Sequence, residues 1–283
     1  METDEFTEMR YEVNDGVAVV SLDRPAERNT WGGRTAVEYR WALHHADISP
    51  DVRVVVLRGE GGVFCAGADT RALDAIGRDG GRYSPESTAL PPYPDGTPAG
   101  FRHNHTYPLT ISVPIIAAIE GACAGAGFVL ATYADLRFAS ETARITTAFA
   151  GLGLPAEYGI GWLLPRIMSV PNALQLLYSA DVVSGTEAHR LGWVQRVTAP
   201  ESLMTETLAF AVKLANESSP HALSVIKRQV FVDAVGDLDQ AYRRSVEDMN
   251  AAMRHPDFRE ALVARRERRP PKFARPPGEP TGT

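Results

Sequence analysis

Apolar and polar positions alternate over residues 11–22 (YEVNDGVAVVSL) and then run together as β-branched residues, with Asn14-Asp15-Gly16 between the two halves. This pattern predicts a hairpin of two short strands. Residues 23–29 read as a loop, and Val37, Trp41 and Leu43 carry helical spacing as far as about Ala46. Residues 52–57 form a nearly unbroken apolar run, as expected of a strand buried on both faces. The run empties into Gly59-Glu60-Gly61-Gly62 and a small-residue loop ending at Asp69, after which a short helix is expected near Thr70. Residues 113–119 repeat the buried-strand pattern and lead into Gly121, Gly125 and Gly127, before the helix-like Phe128-Val129-Leu130-Ala131. Shorter strands are expected at 135–139 and 143–147, helices at 162–168, 172–178 and 186–191, and a strand at 194–197. From about Glu201 the spacing of Leu203, Leu208, Phe210, Val212 and Leu214, then Leu223, Ile226 and Val230, predicts helices only.

Strand, glycine loop and helix occur twice, at 52–76 and 113–133. The recurrence suggests an α/β spiral of repeated strand-strand-helix units. A core over 1–200 and a helical region over 201–283 are expected. Residues 77–100 are rich in Gly and Pro and lack periodicity, and they exceed the ~12 to 15 residues usual for a structureless connection. A lid over a site is preferred here to an interdomain linker, because the strand and glycine pattern resumes at once.

Composition narrows the function. The chain has 29 basic and 35 acidic residues, a net charge of −6, which gives no reason to expect nucleic-acid binding. Its two cysteines, Cys65 and Cys123, lack any CxxC or His partner at metal-ligand spacing and fit a reducing cytoplasm. The first residues are acidic and polar, and no apolar run approaches the ~18 residues that span a bilayer. A cytoplasmic protein without membrane partners is expected.

The candidate chemistry lies in the two glycine loops. Ala68 and Ala126 each follow a glycine, between a buried strand and a helix start. Two backbone N–H groups so placed can converge on one carbonyl oxygen and stabilise an enolate or oxyanion. Glycines after strands also make ordinary turns, and the pattern by itself leaves both readings open.

Val63-Phe64-Cys65-Ala66-Gly67-Ala68-Asp69 resembles the first signature of the crotonase (enoyl-CoA hydratase/isomerase) superfamily. Pro114-Ile115-Ile116-Ala117-Ala118-Ile119-Glu120-Gly121, with Gly125, Gly127 and Leu130-Ala131, resembles the second. Asp135-Leu136-Arg137-Phe138-Ala139, Leu163-Leu164-Pro165-Arg166 and Leu191-Gly192-Trp193-Val194 continue the likeness, as do Arg24-Pro25 with Asn29 and Ser219-Pro220 with Lys227. The resemblance implies a spiral ββα core, a C-terminal helical region forming a homotrimer or dimer of trimers, and an acyl-CoA substrate whose coenzyme A replaces any separate cofactor or metal. It further implies that the Ala68 and Ala126 amides form the oxyanion hole, with Arg28, Ala66, Asp69 and Gly125 around the substrate. Lys272 and Phe273 would reach a neighbouring subunit's coenzyme A. Lys227 is either a phosphate contact or a surface charge, the latter preferred.

The sequence departs from the family at the chemistry. The two glutamates used by its hydratases are replaced by Val129 and Phe149, which puts simple 2-enoyl-CoA hydration in doubt. A carboxylate reappears at Glu157, in a position resembling that of the acidic base of dienoyl-CoA isomerases and the nucleophilic aspartate of 4-chlorobenzoyl-CoA dehalogenases. Glu157 is the catalytic candidate, a single general base able to move a proton at the α- or γ-carbon of a thioester. The competing reading is a loop carboxylate that caps the following helix. Tyr158, His103 and His105 are possible auxiliaries, each equally readable as a packed or solvent-facing side chain. Two further functions stay open: a non-catalytic acyl-CoA-binding protein, and a hydrolase or dehalogenase using Glu157 as nucleophile.

Overall fold

The computed structural model describes residues 1–69, 90–233 and 235–274; the helix expected near Thr70 and residues 77–89 of the expected lid lie outside them. Asp15 and Gly16 both take positive φ, 51° and 78°, the geometry of a two-residue hairpin turn whose twist matches its strands. β1 (Met9–Asn14) therefore folds back antiparallel on β2 (Val17–Leu22), with Met9 opposite Leu22 and Asn14 opposite Val17. Helix α1 (Gly33–Ile48) crosses over to β3 (Val54–Gly59), which lies parallel to β2. β4 (Ile115–Ile119), β6 (Leu136–Ser140) and β9 (Arg196–Thr198) extend the parallel sheet, in the order β1-β2-β3-β4-β6-β9.

A second, three-stranded sheet explains the spiral. β5 (Ala122–Ala124), β7 (Arg144–Thr146) and β8 (Val183–Ser184) form it, with β5 beside β7 in parallel and β8 antiparallel at the edge. The chain thus lays β4 in one sheet and β5 in the other, enters α2 (Ala126–Tyr133), and repeats with β6 and β7. Helices α3 (Ile160–Ile167), α4 (Val170–Ser179) and α5 (Gly185–Arg190) complete this part of the α/β spiral.

The continuous apolar run in β3 follows from burial on both faces. Val55 and Leu57 enter the main core with α1 and α2, whereas Val54 and Val56 face the other way with Val17, Ile116, Ala118 and Phe138. That outer face is covered by α6 (Leu203–Glu217) through Leu203, Ala211 and Ala215. α7 (Pro220–Asp233), α8 (Leu238–Arg254) and α9 (Pro256–Glu267) follow. α8 buries none of its residues and exposes Leu238, Tyr242, Met249 and Met253 along one side. No helix among the described residues is long and apolar enough to cross a membrane.

Arg137 on β6 fixes the far end of α2. Its guanidinium is buried and donates to the carbonyls of Ala131, Thr132 and Ala134, to Trp193 O and to Gln195. Burial lowers it to about 10, yet the cation is matched by the carbonyl end of the helix. Because several buried carbonyls would lose their donor, Arg137→Met is expected to lower unfolding free energy by about 3 kcal/mol, read from the urea midpoint.

Candidate active site

The two glycine loops meet through Cys65 and Cys123, which form a parallel bridge. Cys65 N donates to Ala122 O at 2.9 Å and Ala124 N to Cys65 O at 3.0 Å. Gly67 and Gly125 consequently lie side by side, so close that a Cβ on Gly125 would sit 4.0 Å from Gly67 Cα. Both have positive φ, 112° and 48°, which glycine adopts without steric cost. Both thiols are buried, and burial pushes the Cys65 thiol up to about 12 and holds Cys123 well above its ordinary value, away from the reactive thiolate.

Neighbouring amides are held by the fold. Ala66 N donates to Arg28 O, Asp69 N to Trp31 O, Trp31 N to Gly67 O and Gly125 N to Thr146 O. Among the described residues no such bond is made by the amides of Ala68 or Ala126. Ala126 is the first residue of α2, where backbone N–H groups have no partner within the helix and carry partial positive charge. Arg28 is exposed and in the left-handed region, so its contribution to this loop is its carbonyl. Asn29 is the brace: its side chain accepts from Arg24 N and donates to Glu60 O and Val63 O.

Val129 and Phe149 are 0% and 3% exposed, inside the main core. Glu157 lies half-buried on the turn before α3, and desolvation raises its carboxyl above the ordinary glutamate value. The capping alternative is not realised. Gly159 is the N-cap of α3 without a side-chain cap bond, and Glu157 contributes only its backbone oxygen, to Ile160 N at 2.9 Å. Among the described residues its carboxylate has no hydrogen-bond or ion-pair partner.

The turn is clamped on both sides. Tyr158, at φ 49°, accepts a hydrogen bond on its backbone oxygen from the Tyr133 hydroxyl, at the end of α2. On its other side its ring stacks on His105, with centroids 3.7 Å apart and planes 24° from parallel. His105 lies 6.3 Å, ring to ring, from Trp31, which pairs with Ala68. This series of contacts joins the first glycine loop to the Glu157 turn. Burial lowers His105 to about 4, so the ring is neutral near neutral pH. Tyr158 and Gly159 line a cavity of about 530 Å³ together with His103, His105, Tyr133 and Trp162; Glu157 is not itself a lining residue. His103 is exposed, and its amide bonds the Thr106 hydroxyl.

Sequence reading missed Trp31, Tyr133 and Trp162, and also Arg40. The Arg40 guanidinium reaches from α1 to Pro91 O, Tyr93 and Asn104, fixing the start of the wall that carries His103 and His105. Tyr133 had one available signal, since it falls two helical turns after Ala126.

Two expectations are corrected. Lys227 is not a surface charge: it is 8% exposed and donates to Val113 O at 3.1 Å and Asp135 Oδ2 at 2.9 Å, joining α7 to the sheet. Phe273 does not extend towards a neighbour. Its ring is buried in its own chain, and its carbonyl accepts from Arg53 at 2.6 Å. Lys272 beside it is exposed, with its amide donating to Glu260. Among the described residues no group of three or more His, Cys, Asp or Glu side chains could hold a metal ion.

Known proteins resemble this chain over nearly its whole length. The family model for enoyl-CoA hydratase/isomerase matches residues 12–276. A probable enoyl-CoA hydratase of Rhodobacter capsulatus is 29% identical over 94% of this chain and 97% of its own. The peroxisomal Delta(3,5)-Delta(2,4)-dienoyl-CoA isomerase of Arabidopsis thaliana is 28% identical over 94% and 96%. Among solved structures, an enoyl-CoA hydratase from Polaromonas sp. JS666 superposes with a TM-score of 0.81 at 29% identity, covering 94% of this chain and 99% of the other. With the spiral fold and the paired glycine loops, these matches establish that the chain belongs to the enoyl-CoA hydratase/isomerase family and is an enzyme of that type.

Proposed function

We propose that this enzyme moves a double bond along an acyl-CoA thioester by proton transfer through an enolate, with Glu157 as the single acid/base. The Ala68 and Ala126 amides receive the thioester oxygen. Glu157 as carboxylate takes a proton from Cα of a 3-enoyl thioester, and the C–H electron pair moves into the carbonyl, placing negative charge on that oxygen. When the pair returns, the β,γ π-electrons take the same proton at Cγ, giving the 2-enoyl isomer and restoring the carboxylate. Donors aimed at the developing charge supply the main electrostatic stabilisation.

The observation that carries this reading is the exchange of carboxylates. The two hydratase positions are sealed apolar side chains, Val129 and Phe149, and leave no acid to orient a water. Glu157 is half-buried, uncommitted among the described residues and raised in pKa, as a general base requires. Incubation with 2-enoyl and 3-enoyl thioesters followed by chromatographic separation and mass spectrometry tests it. An isomer of unchanged mass is expected; a product heavier by one water would replace isomerisation with hydration.

The same reading includes assembly as a trimer or a dimer of trimers. The exposed apolar side of α8 is too continuous to be left in water at no cost. Sedimentation equilibrium is expected to give three or six copies of the 30.7 kDa chain. A monomer would refute this part.

A further inference from the structure

The cavity beside Glu157 has walls that are more selective than an acyl-CoA site needs in general. Its volume is about 530 Å³, and its walls include Phe101, Leu109, Tyr133, Tyr158 and Trp162. No Asp, Glu, Lys or Arg side chain is found among the described lining residues. A charged acyl terminus buried against these side chains would find no charged partner among them, which is unfavourable. His105 supplies no cation in compensation, because burial keeps it neutral near neutral pH, and His103 lies out at the exposed edge.

The stacked pair of His105 and Tyr158 adds a shape argument. At 3.7 Å and 24° the two rings present a flat, rigid aromatic surface beside the base, with Trp162 contributing a third ring to the wall. A planar ring in the substrate continues that surface through offset or edge-to-face contacts. A flexible chain of the same carbon number gains apolar contact but gives up the freedom of every bond it fixes. A short acyl chain would leave most of the volume unfilled.

Building on the proposed action on an acyl-CoA thioester, with this cavity next to the Glu157 turn taken as the place of the acyl group, we propose that the enzyme accepts an uncharged acyl group ending in a flat unsaturated ring, with His105 and Trp162 as specificity-determining residues. The test is calorimetric binding of three saturated thioesters of equal carbon number to the full-length protein: 4-phenylbutanoyl-CoA, decanoyl-CoA and singly esterified decanedioyl-CoA. None of them can be isomerised, so affinity is read without turnover. The phenyl thioester is expected to bind about tenfold or more tightly than decanoyl-CoA, and the carboxylated one about tenfold or more weakly. His105→Ala should reduce the phenyl preference to about threefold or less. Trp162→Leu, on helix α3 rather than in the His105 turn, should do the same and serves if His105→Ala fails to fold.

Decanoyl-CoA binding as well as the phenyl thioester would overturn the inference while leaving the acyl-site reading intact, as would decanedioyl-CoA binding as well as decanoyl-CoA. Survival of the preference in both variants would remove His105 and Trp162 from it. Failure of all three thioesters to bind would refute the acyl-site reading itself, and this inference with it.

Discussion

Glu157→Gln is expected to lower kcat by about 10²- to 10⁴-fold, the range that a positioned acid/base supplies, while acyl-CoA affinity stays within about threefold. Glutamine keeps the size and polarity of the side chain but cannot take a proton. Binding is expected to survive because the proposed oxyanion donors and the cavity wall are backbone amides and other side chains. The pH profile of the wild type carries the same information. Desolvation raises the Glu157 carboxyl, and the base works ionised, so activity should rise with pH through an apparent pKa above the ordinary glutamate value. Stability runs in the opposite sense. A carboxyl raised on folding contributes stability below its unfolded pKa and loses that contribution as pH rises through the folded one. At neutral pH the ionised, partly desolvated Glu157 is therefore a cost, and Glu157→Gln should melt no lower than the wild type. The two should converge at acid pH, where Glu157 is also neutral. Thermal unfolding across pH separates lost chemistry from lost folding.

Gly127→Ala is expected to lower stability by about 1–3 kcal/mol and kcat by about 10²-fold or more. Gly127 sits in α2, where alanine by propensity alone would stabilise the helix by about 0.5–1 kcal/mol. The penalty comes from the neighbouring loop. A Cβ there would lie 2.7 Å from Cys65 Cβ and closer still to the Cys65 carbonyl oxygen, which accepts from Ala124 N. Backbone must therefore move, and the backbone that moves is the bridge holding Gly67 beside Gly125. The amides of Ala68 and Ala126, the proposed oxyanion donors, are expected to shift with it. Gly151→Ala is the control, because a Cβ at that position has Ala180 Cβ, at 3.9 Å, as its nearest neighbour. Chemical denaturation and steady-state kinetics on the two variants distinguish a specific contact from a general effect of alanine.

Much of this fold could be read from local patterns. Asp15-Gly16 announces a hairpin because both residues tolerate positive φ, and 52–57 and 113–119 read as doubly buried strands because both sheet faces are covered. The short strands were harder. β5 has three residues and β8 two, too few to display a period, and neither was foreseen. The strand expected at 194–197 begins at Arg196, because Trp193 and Val194 are taken into the core, Trp193 stacked on Phe128 at 4.5 Å.

The site divides along the same line. The two glycine loops that lie side by side were legible from the glycines that follow each buried strand, and the apolar identity of Val129 and Phe149 is plain from the sequence alone. Lys227 and Arg40 were not legible. Each is a cation on a helix whose partners lie 64 to 114 residues away for the contacts that matter most, Asn104 for one and Val113 for the other. Burial of such a group is decided by the tertiary fold, since no local rule distinguishes it from a solvated charge. Tyr133 and Trp162 carry no local sign of a site, and only the folded chain gathers them around one cavity, with Trp31 near His105 at its wall.

The most direct test of the central claim is exchange of the substrate α-proton in D₂O, followed by NMR on a saturated acyl-CoA bound to wild-type enzyme and to Glu157→Gln. The account predicts stereospecific exchange at Cα in the wild type and its loss in the variant, with the thioester still bound to both. Exchange that persists at the wild-type rate in Glu157→Gln would contradict the assignment of Glu157 as the base.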